Sequence, residues 1–317
     1  MKKISFVIPC YGSEKTIEFV INEIVEVVEE KANEYDYEII AINDCSPDNV
    51  LSVLIRLANS NKKIKVIDFA KNFGKHAGVL AGFKFASGDY IVGLDDDGQC
   101  PVNHFWELLE PIINNKSDYS MAGYNKVKQS VFKNIGSTIN SLMSHILLKK
   151  PKNLYFSNFY AMKKYIAKEM IRYNNPYPYL EGLTLRTTDS FAIVPMEERE
   201  RYEGNGNFTL HKSISLWLNG FTAFSVKPLR VSSIIGILCS FIGFIFGLAV
   251  IIKKLINPLI VIGYSSIMAT LLFVGGIIML MLGLIGEYIG RIYISINNSP
   301  QYVIKDIINY DEGEDLH

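Results

Sequence analysis

The sequence predicts an α/β protein: a mainly parallel sheet covered on both faces, followed by a transmembrane hairpin of two helices. Three observations carry that prediction. Strand-length apolar runs alternate with helix-length runs over the first 230 residues, three consecutive aspartates follow one of those strands, and two long uncharged stretches lie near the C-terminus. Strands alternating with helices pair in parallel, because each helix serves as the crossover between its two strands.

Taken in order, "ISFVIP" reads as a buried strand and "SEKTIEFVINEIVEVVEEKANEY" as an amphipathic helix with Ser13 as its cap. "YEIIAIND" is the second strand, "VLSVLIRLANS" the second helix and "IKVIDFA" the third strand. A helix across "HAGVLAGFKFAS" leads to the fourth strand, "YIVGLDDD". In open α/β sheets ligands bind beyond the carboxyl ends of the strands. Residues 9–11, Asn43 with Asp44, and residues 95–97 all fall at such ends, so they are expected on one rim.

The C-terminal part is a different material. From residue 231 onward there are only four basic and six acidic residues, leaving 28 and 26 for the first 230. The stretch 231–252 has no charge, and 22 helical residues span about 33 Å, enough for a bilayer core of about 30 Å. A second uncharged run, 259–285, crosses with tilt. Both runs are apolar on every face, which suits lipid rather than a soluble hairpin. The expected organisation is therefore a cytosolic domain over 1–230, membrane helices within 231–290 and a cytosolic tail over 291–317.

Formal net charge is zero, which gives no electrostatic footprint for nucleic acid. Cys10, Cys45, Cys100 and Cys239 form no C-x-x-C pair and no zinc spacing, as suits a reducing cytosol. The start, "MKKISFVIPCYG", does not read as a signal peptide, because its apolar run is short and broken by Pro9. Two crossings return the C-terminus to the side of the first 230 residues, and the lysines and arginines around the helices barely favour either orientation.

Asp95, Asp96 and Asp97 would repel one another if all were ionised and close, unless a positive charge sat among them. An EF-hand loop does not fit, because counting back from Gly98 puts Gly93 at the first ligand position and His104 at the closing one. Gly74 with Lys75 is no Walker loop, lacking the first glycine and the Ser/Thr. Two readings stay open on spacing alone: a solvated acidic turn, and carboxylates holding a divalent cation with a substrate's diphosphate.

With these residues assembled, "VIPCYGSEKTI", "IAINDCSPDN", "KNFGKHAGVLAGFKFASGDYIVGLDDDGQCP" and "ERYEGNGNFTLHKSISLWLNGFTAFSVKPLR", followed by two membrane helices, resemble a family 2 glycosyltransferase. Within that family the chain is most similar to the dolichol-phosphate mannose synthase and bactoprenol glucosyltransferase group, in the right order over nearly its whole length. The resemblance implies a GT-A (Rossmann-like) fold, a nucleotide-diphosphate sugar donor, a divalent metal (Mg2+ or Mn2+) and a polyprenyl phosphate acceptor. It implies that Pro9, Tyr11 and Glu14 cradle the nucleoside and that Asp44 reads the base, with a UDP-sugar favoured over a GDP-sugar. It places Asp95, Asp97 and Gln99 around the metal and Asp96 beside the donor. It sets Lys75 and Arg201 against phosphate oxygens, gives Asp97 and Arg201 the catalytic roles, and assigns Asn158, Arg201 and Lys212 to the acceptor phosphate.

The chain departs from the family pattern at Gly12, where Asn is usual, and at Glu198, where the first arginine of an R-x-x-R is usual, with Arg199 one place out of register. Gly206 and Phe208 replace a usual Ser or Thr and a usual Tyr, and Asn158 replaces an aspartate of many relatives. Between the halves, apolar residues at helical spacing over 131–148 precede Lys149, Lys150 and Lys152. This helix either packs on the catalytic core or lies in the membrane interface among anionic headgroups. The activity so implied is inverting transfer of one sugar to a polyprenyl phosphate at the cytosolic face of the plasma membrane, with a homo-oligomer left open. Two alternatives are transfer to a hydroxyl of a growing glycan and a catalytically silent nucleotide-binding membrane scaffold.

Overall fold

The computed structural model describes residues 1–124, 154–176, 178–200, 227–257, 263–297 and 299–310. The expected helix over 131–148, together with Arg201, Gly206, Phe208 and Lys212, lies outside them. The chain divides into two compact units, Met1–Gly220 with Ser299–His317, and Phe221–Asn298.

In the first unit, strands β1 (Lys2–Cys10), β2 (Tyr35–Asn43), β3 (Ile64–Phe69) and β4 (Tyr90–Gly93) pair in parallel in the order β4-β1-β2-β3. Each is mostly apolar and buried because both faces are covered, as expected of a parallel sheet, with the buried charges Glu38, Lys65 and Asp68 held by partners. Helices α1 (Ile17–Glu29), α2 (Val50–Ser60) and α3 (Lys75–Phe85) make the crossovers. The chain moves outward from β1 through β2 to β3 and then returns to β1's other side as β4, which puts the topological switch point between β1 and β4.

The sheet then becomes antiparallel on that side. A 3-10 turn (Val102–His104) and α4 (Phe105–Ile113) lead to β5 (Tyr119–Tyr124). Strand β6 (Tyr160–Lys163) inserts between β4 and β5, antiparallel to both. Helices α5 (Lys164–Met170) and α6 (Leu180–Thr187) precede β7 (Phe191–Met196), which pairs parallel with β5. One packing detail fixes the β4–β6 register. A Cβ at Gly93 would overlap the ring of Tyr160, so only glycine admits that ring.

Two expectations are corrected here. Helix α1 begins at Ile17 rather than Ser13, because residues 13–16 form a turn in which the Ser13 carbonyl accepts from the Thr16 and Ile17 amides at 3.1 and 3.0 Å. The segment after the hairpin is also more than a tail. Strand β8 (Ile304–Ile308) pairs antiparallel with β3 and completes an eight-stranded sheet. The first 230 residues therefore do not finish their own sheet.

The second unit holds helices α7 (Lys227–Ile256) and α8 (Tyr264–Ile296), both longer than the uncharged runs that announce them. Charged flanks such as Glu287 and Arg291 continue the helix without being apolar. Both helices are long and apolar enough to cross a membrane. Phe244 and Leu280 are 70% and 68% exposed, and the buried share of each apolar stretch is close to nil. Such a surface is stable only against lipid or a partner of equal apolarity.

Candidate active site

The rim at the carboxyl ends of β1, β2 and β4 is built by local turn chemistry. Gly12 takes a φ of 73°, a backbone region that glycine enters without strain, and this lets the chain turn sharply out of β1. Its amide donates to Ser46 Oγ at 2.7 Å, and Ser46 in turn donates to Asp48 Oδ1 at 2.5 Å. Asp48 Oδ2 accepts the Glu14 amide at 2.9 Å, while Glu14 Oε2 accepts the Asn49 amide at 3.2 Å. The loops after β1 and β2 are thereby laced into one rim. Sequence reasoning did not single out Ser46 and Asp48, although Ser-Pro-Asp is turn-forming in composition.

Asp44 is only 3% exposed, and its two oxygens accept the amides of Phe73 and Gly74 at 2.7 and 2.8 Å. Burial raises its pKa, and the two amides offset part of that rise. Asp44 thus fastens the loop before α3 onto the end of β2. Gly74, at φ 88°, makes the turn that brings Lys75 into the first turn of α3. Next to it, His76 Nδ1 accepts the Leu180 amide at 3.3 Å. Burial, then the Lys75 ammonium, pull the imidazole down to about 4, so it is neutral near pH 7. Nothing in the sequence distinguished His76 from an ordinary helix residue.

The three aspartates are separated by direction and by partner. Asp95 forms an ion pair with the Lys75 ammonium. Asp96 turns back toward the end of β1, where its carboxylate accepts the Tyr11 amide at 3.0 Å and its carbonyl accepts the Thr16 hydroxyl at 2.6 Å. Burial, reinforced by its two neighbouring carboxylates, pushes the Asp96 carboxyl up to about 6. Asp97 Oδ1 accepts the Gln99 amide at 3.1 Å. Asp96 is accordingly an anchor of the rim, whereas Asp95 pairs with Lys75 and Asp97 with the Gln99 amide. Pro9 lies buried in β1 opposite Ile42 of β2, shaping the floor, and Tyr11 is 45% exposed.

Gln99 is clamped to Arg199 in both directions. Its side-chain amide donates to the Arg199 carbonyl at 3.3 Å, and the Arg199 amide donates to the Gln99 carbonyl at 3.1 Å. The Arg199 guanidinium is engaged elsewhere, pairing with Glu23 of α1 at 2.8 Å and donating to Asn103. It therefore ties the stretch that holds Gln99 to α1 and to the turn at Asn103. Asn158 is exposed and lies two residues before β6, whose first residue, Tyr160, pairs with Gly93 at the end of β4.

Asp95, Asp97 and Gln99 offer carboxylate and amide oxygens, the hard donors that Mg2+ and Mn2+ prefer. The cationic Lys75 already set against Asp95 marks the opening as a place where positive charge is stabilised. The described residues contain no cluster of three or more His, Cys, Asp or Glu able to hold a metal unaided. The donor set fits a cation that shares its coordination with a bound diphosphate.

Residues 5–172 match the model of glycosyl transferase family 2, and residues 227–292 match that of the GtrB C-terminal hairpin. An SfII prophage-derived bactoprenol glucosyl transferase of Shigella flexneri is 32% identical over 96% of this chain and 97% of its own length. A prophage bactoprenol glucosyl transferase homolog of Escherichia coli K12 is 31% identical over 96% and 99%. Glucosyl-3-phosphoglycerate synthase of Mycobacterium tuberculosis, in a crystal structure with Mn2+, UDP and glucosyl-3-phosphoglycerate, superposes with a TM-score of 0.52 at 19% identity, covering 68% of this chain and 76% of that one. That likeness bears on the fold, which is GT-A.

Proposed function

The chain belongs to glycosyltransferase family 2 and carries the GtrB C-terminal hairpin, and from that premise we propose that it moves a hexose from a UDP-sugar to a polyprenyl phosphate. The observation that carries the proposal is that relatives named as bactoprenol glucosyl transferases match 96% of this chain, a span long enough to take in both the family 2 domain and the C-terminal hairpin. The hairpin gives a long-chain lipid acceptor a membrane in which to be met. The rim supplies a donor site that opens at the switch point of the sheet.

In this reading Pro9, Tyr11 and Glu14 line the nucleoside, and Asp44, expected to read the base, has an oxygen on each of the Phe73 and Gly74 amides and so meets the base through the loop it holds. Asp97 and Gln99 would hold a divalent cation, with Asp95 supporting it, and that ion would supply neutralising charge for the leaving diphosphate. Lys75 and Arg201 bind phosphate oxygens, while Asn158 and Lys212 orient the acceptor. The acceptor is a phosphate monoester with a second pKa of about 6, largely a dianion near neutrality. Its oxygen attacks the anomeric carbon from the face opposite the leaving diphosphate, inverting that centre. No proton has to be removed first, so an asparagine at position 158 serves where a hydroxyl acceptor would need a base. The catalytic domain lies on the cytosolic face of the plasma membrane, with α7 and α8 crossing it.

The test is to incubate membranes bearing the full chain with undecaprenyl phosphate and radiolabelled UDP- and GDP-sugars, and then to extract the lipid. Label entering lipid from a UDP-hexose is expected. Label from GDP-sugars alone would replace the donor, and no lipid label from any donor would remove the proposal.

A further inference from the structure

The segment that follows the hairpin, β8 and the two residues before it, packs on the end of β3 where the loop before α3 begins. Tyr302 stacks parallel on Phe69 of β3, with centroids 5.3 Å apart and ring planes within 8°. Phe69 meets Phe73 edge-on at 5.7 Å, and the Phe73 amide is one of the two held by Asp44. The Val303 carbonyl accepts the Ala70 amide at 3.0 Å, just where β3 ends and this loop begins. Lys305 approaches Asp68 Oδ2 at 3.7 Å, and Asp68 Oδ1 accepts the Asn43 side-chain amide at 2.7 Å. Asn43 Oδ1 accepts the Ser46 amide at 3.2 Å, which ties the same line of contacts to the rim.

We infer that Tyr302, with Lys305 as its lesser partner, is a positioning residue for the donor site: the chain end beyond the hairpin sets the two loops on either side of Asp44. Without β8, strand β3 is a sheet edge, and Phe69 and Asp68, now 1% and 5% exposed, lose their cover. The amides of Phe73 and Gly74 then lose the backing that holds them toward Asp44. Donor recognition, read from residues that precede position 100, thus depends on residues after position 300. This inference rests on the proposed donor site for its functional consequence, and on contacts within one compact unit for its structural one.

The experiment uses the full-length protein in detergent, comparing Tyr302→Ala and Tyr302→Phe with the parent. Donor KM is expected to rise about tenfold in Tyr302→Ala, equivalent to about 1.4 kcal/mol, with kcat at saturating donor within about twofold of the parent. Tyr302→Phe, which keeps the stacked ring, restores the parent KM. Hydrogen exchange at the Phe73 and Gly74 amides of the unliganded chain accelerates in Tyr302→Ala, a readout that needs no particular nucleotide. If Tyr302→Ala does not fold, Tyr302→Leu, which keeps the apolar bulk but not the ring, carries the same test. Parent-like exchange at both amides overturns the inference whatever the donor proves to be. Faster exchange in a chain that ignores UDP sustains the positioning role and overturns only the donor assignment.

Discussion

Replacing Asp44 by asparagine is the most informative single change at the rim. The carboxylate is 3% exposed and accepts the Phe73 and Gly74 amides at 2.7 and 2.8 Å. Asparagine keeps one acceptor and turns an NH2 toward the other amide. A hydrogen bond to a charged acceptor contributes about 1.5–3 kcal/mol, and an unsatisfied buried N–H costs about 1–3 kcal/mol. Against this, burial raises the Asp44 pKa, so removing the charge returns part of its desolvation cost. The net loss is about 2 kcal/mol, a factor of roughly thirty in an equilibrium constant. Isothermal titration of UDP into the full-length protein in detergent reads it directly. The expected result for Asp44→Asn is a Kd about thirtyfold higher, with Asp44→Ala, which removes both acceptors, weaker still. An unchanged Kd in Asp44→Asn would show that a carboxylate is not what holds this loop.

Asp97→Asn removes a cation-holding carboxylate from the rim; lipid glycosylation should fall at least a hundredfold while the chain keeps the parent's far-ultraviolet circular dichroism. Arg199→Ala keeps the main-chain bonds to Gln99 but removes the guanidinium contacts to Glu23 and Asn103 that hold that stretch of backbone in place, and the Mn2+ concentration for half-maximal activity should rise about tenfold, the scale of changes behind a metal ligand. Glu38, 1% exposed between Lys3 and Lys65, is opposed by burial, yet hydrogen bonds from the Ser5 hydroxyl and the Ser87 amide together with the two ammonium groups pull its pKa from 4.5 down to about 2. A lowered folded-state pKa stabilises above the unfolded value, and that contribution disappears as pH falls from about 4.5 through 2. The loss is on the order of 3 kcal/mol. Urea titrations should show it in the parent and find it missing in Glu38→Gln.

The four parallel strands and their shared rim were legible because strands buried on both faces write themselves as mostly apolar runs. Residues 9–11, Asp44 and residues 95–97 each end such a run, and they meet where the sheet topology requires. The membrane helices were legible for the same reason, although their charged ends beyond 285 were not. Strand β8 escaped notice because "IKDII" is short, lies among polar residues and pairs with a strand more than two hundred positions away. Local pattern carries no record of such a pairing. Asp96 and Arg199 show a second limit. Asp96 was expected beside the donor and Arg199 was given no role, because the direction of each side chain is set by tertiary partners, the Tyr11 amide for one and Glu23 for the other.

The central claim, transfer of one sugar to a lipid phosphate, is tested most directly by mass spectrometry of the lipid after purified protein has turned over UDP-glucose with undecaprenyl phosphate and Mg2+. Undecaprenyl phosphate heavier by one hexosyl unit is expected, with UDP released in equal amount and both lost on adding EDTA. UDP released without any heavier lipid, or sugar appearing only on a glycan, would contradict it.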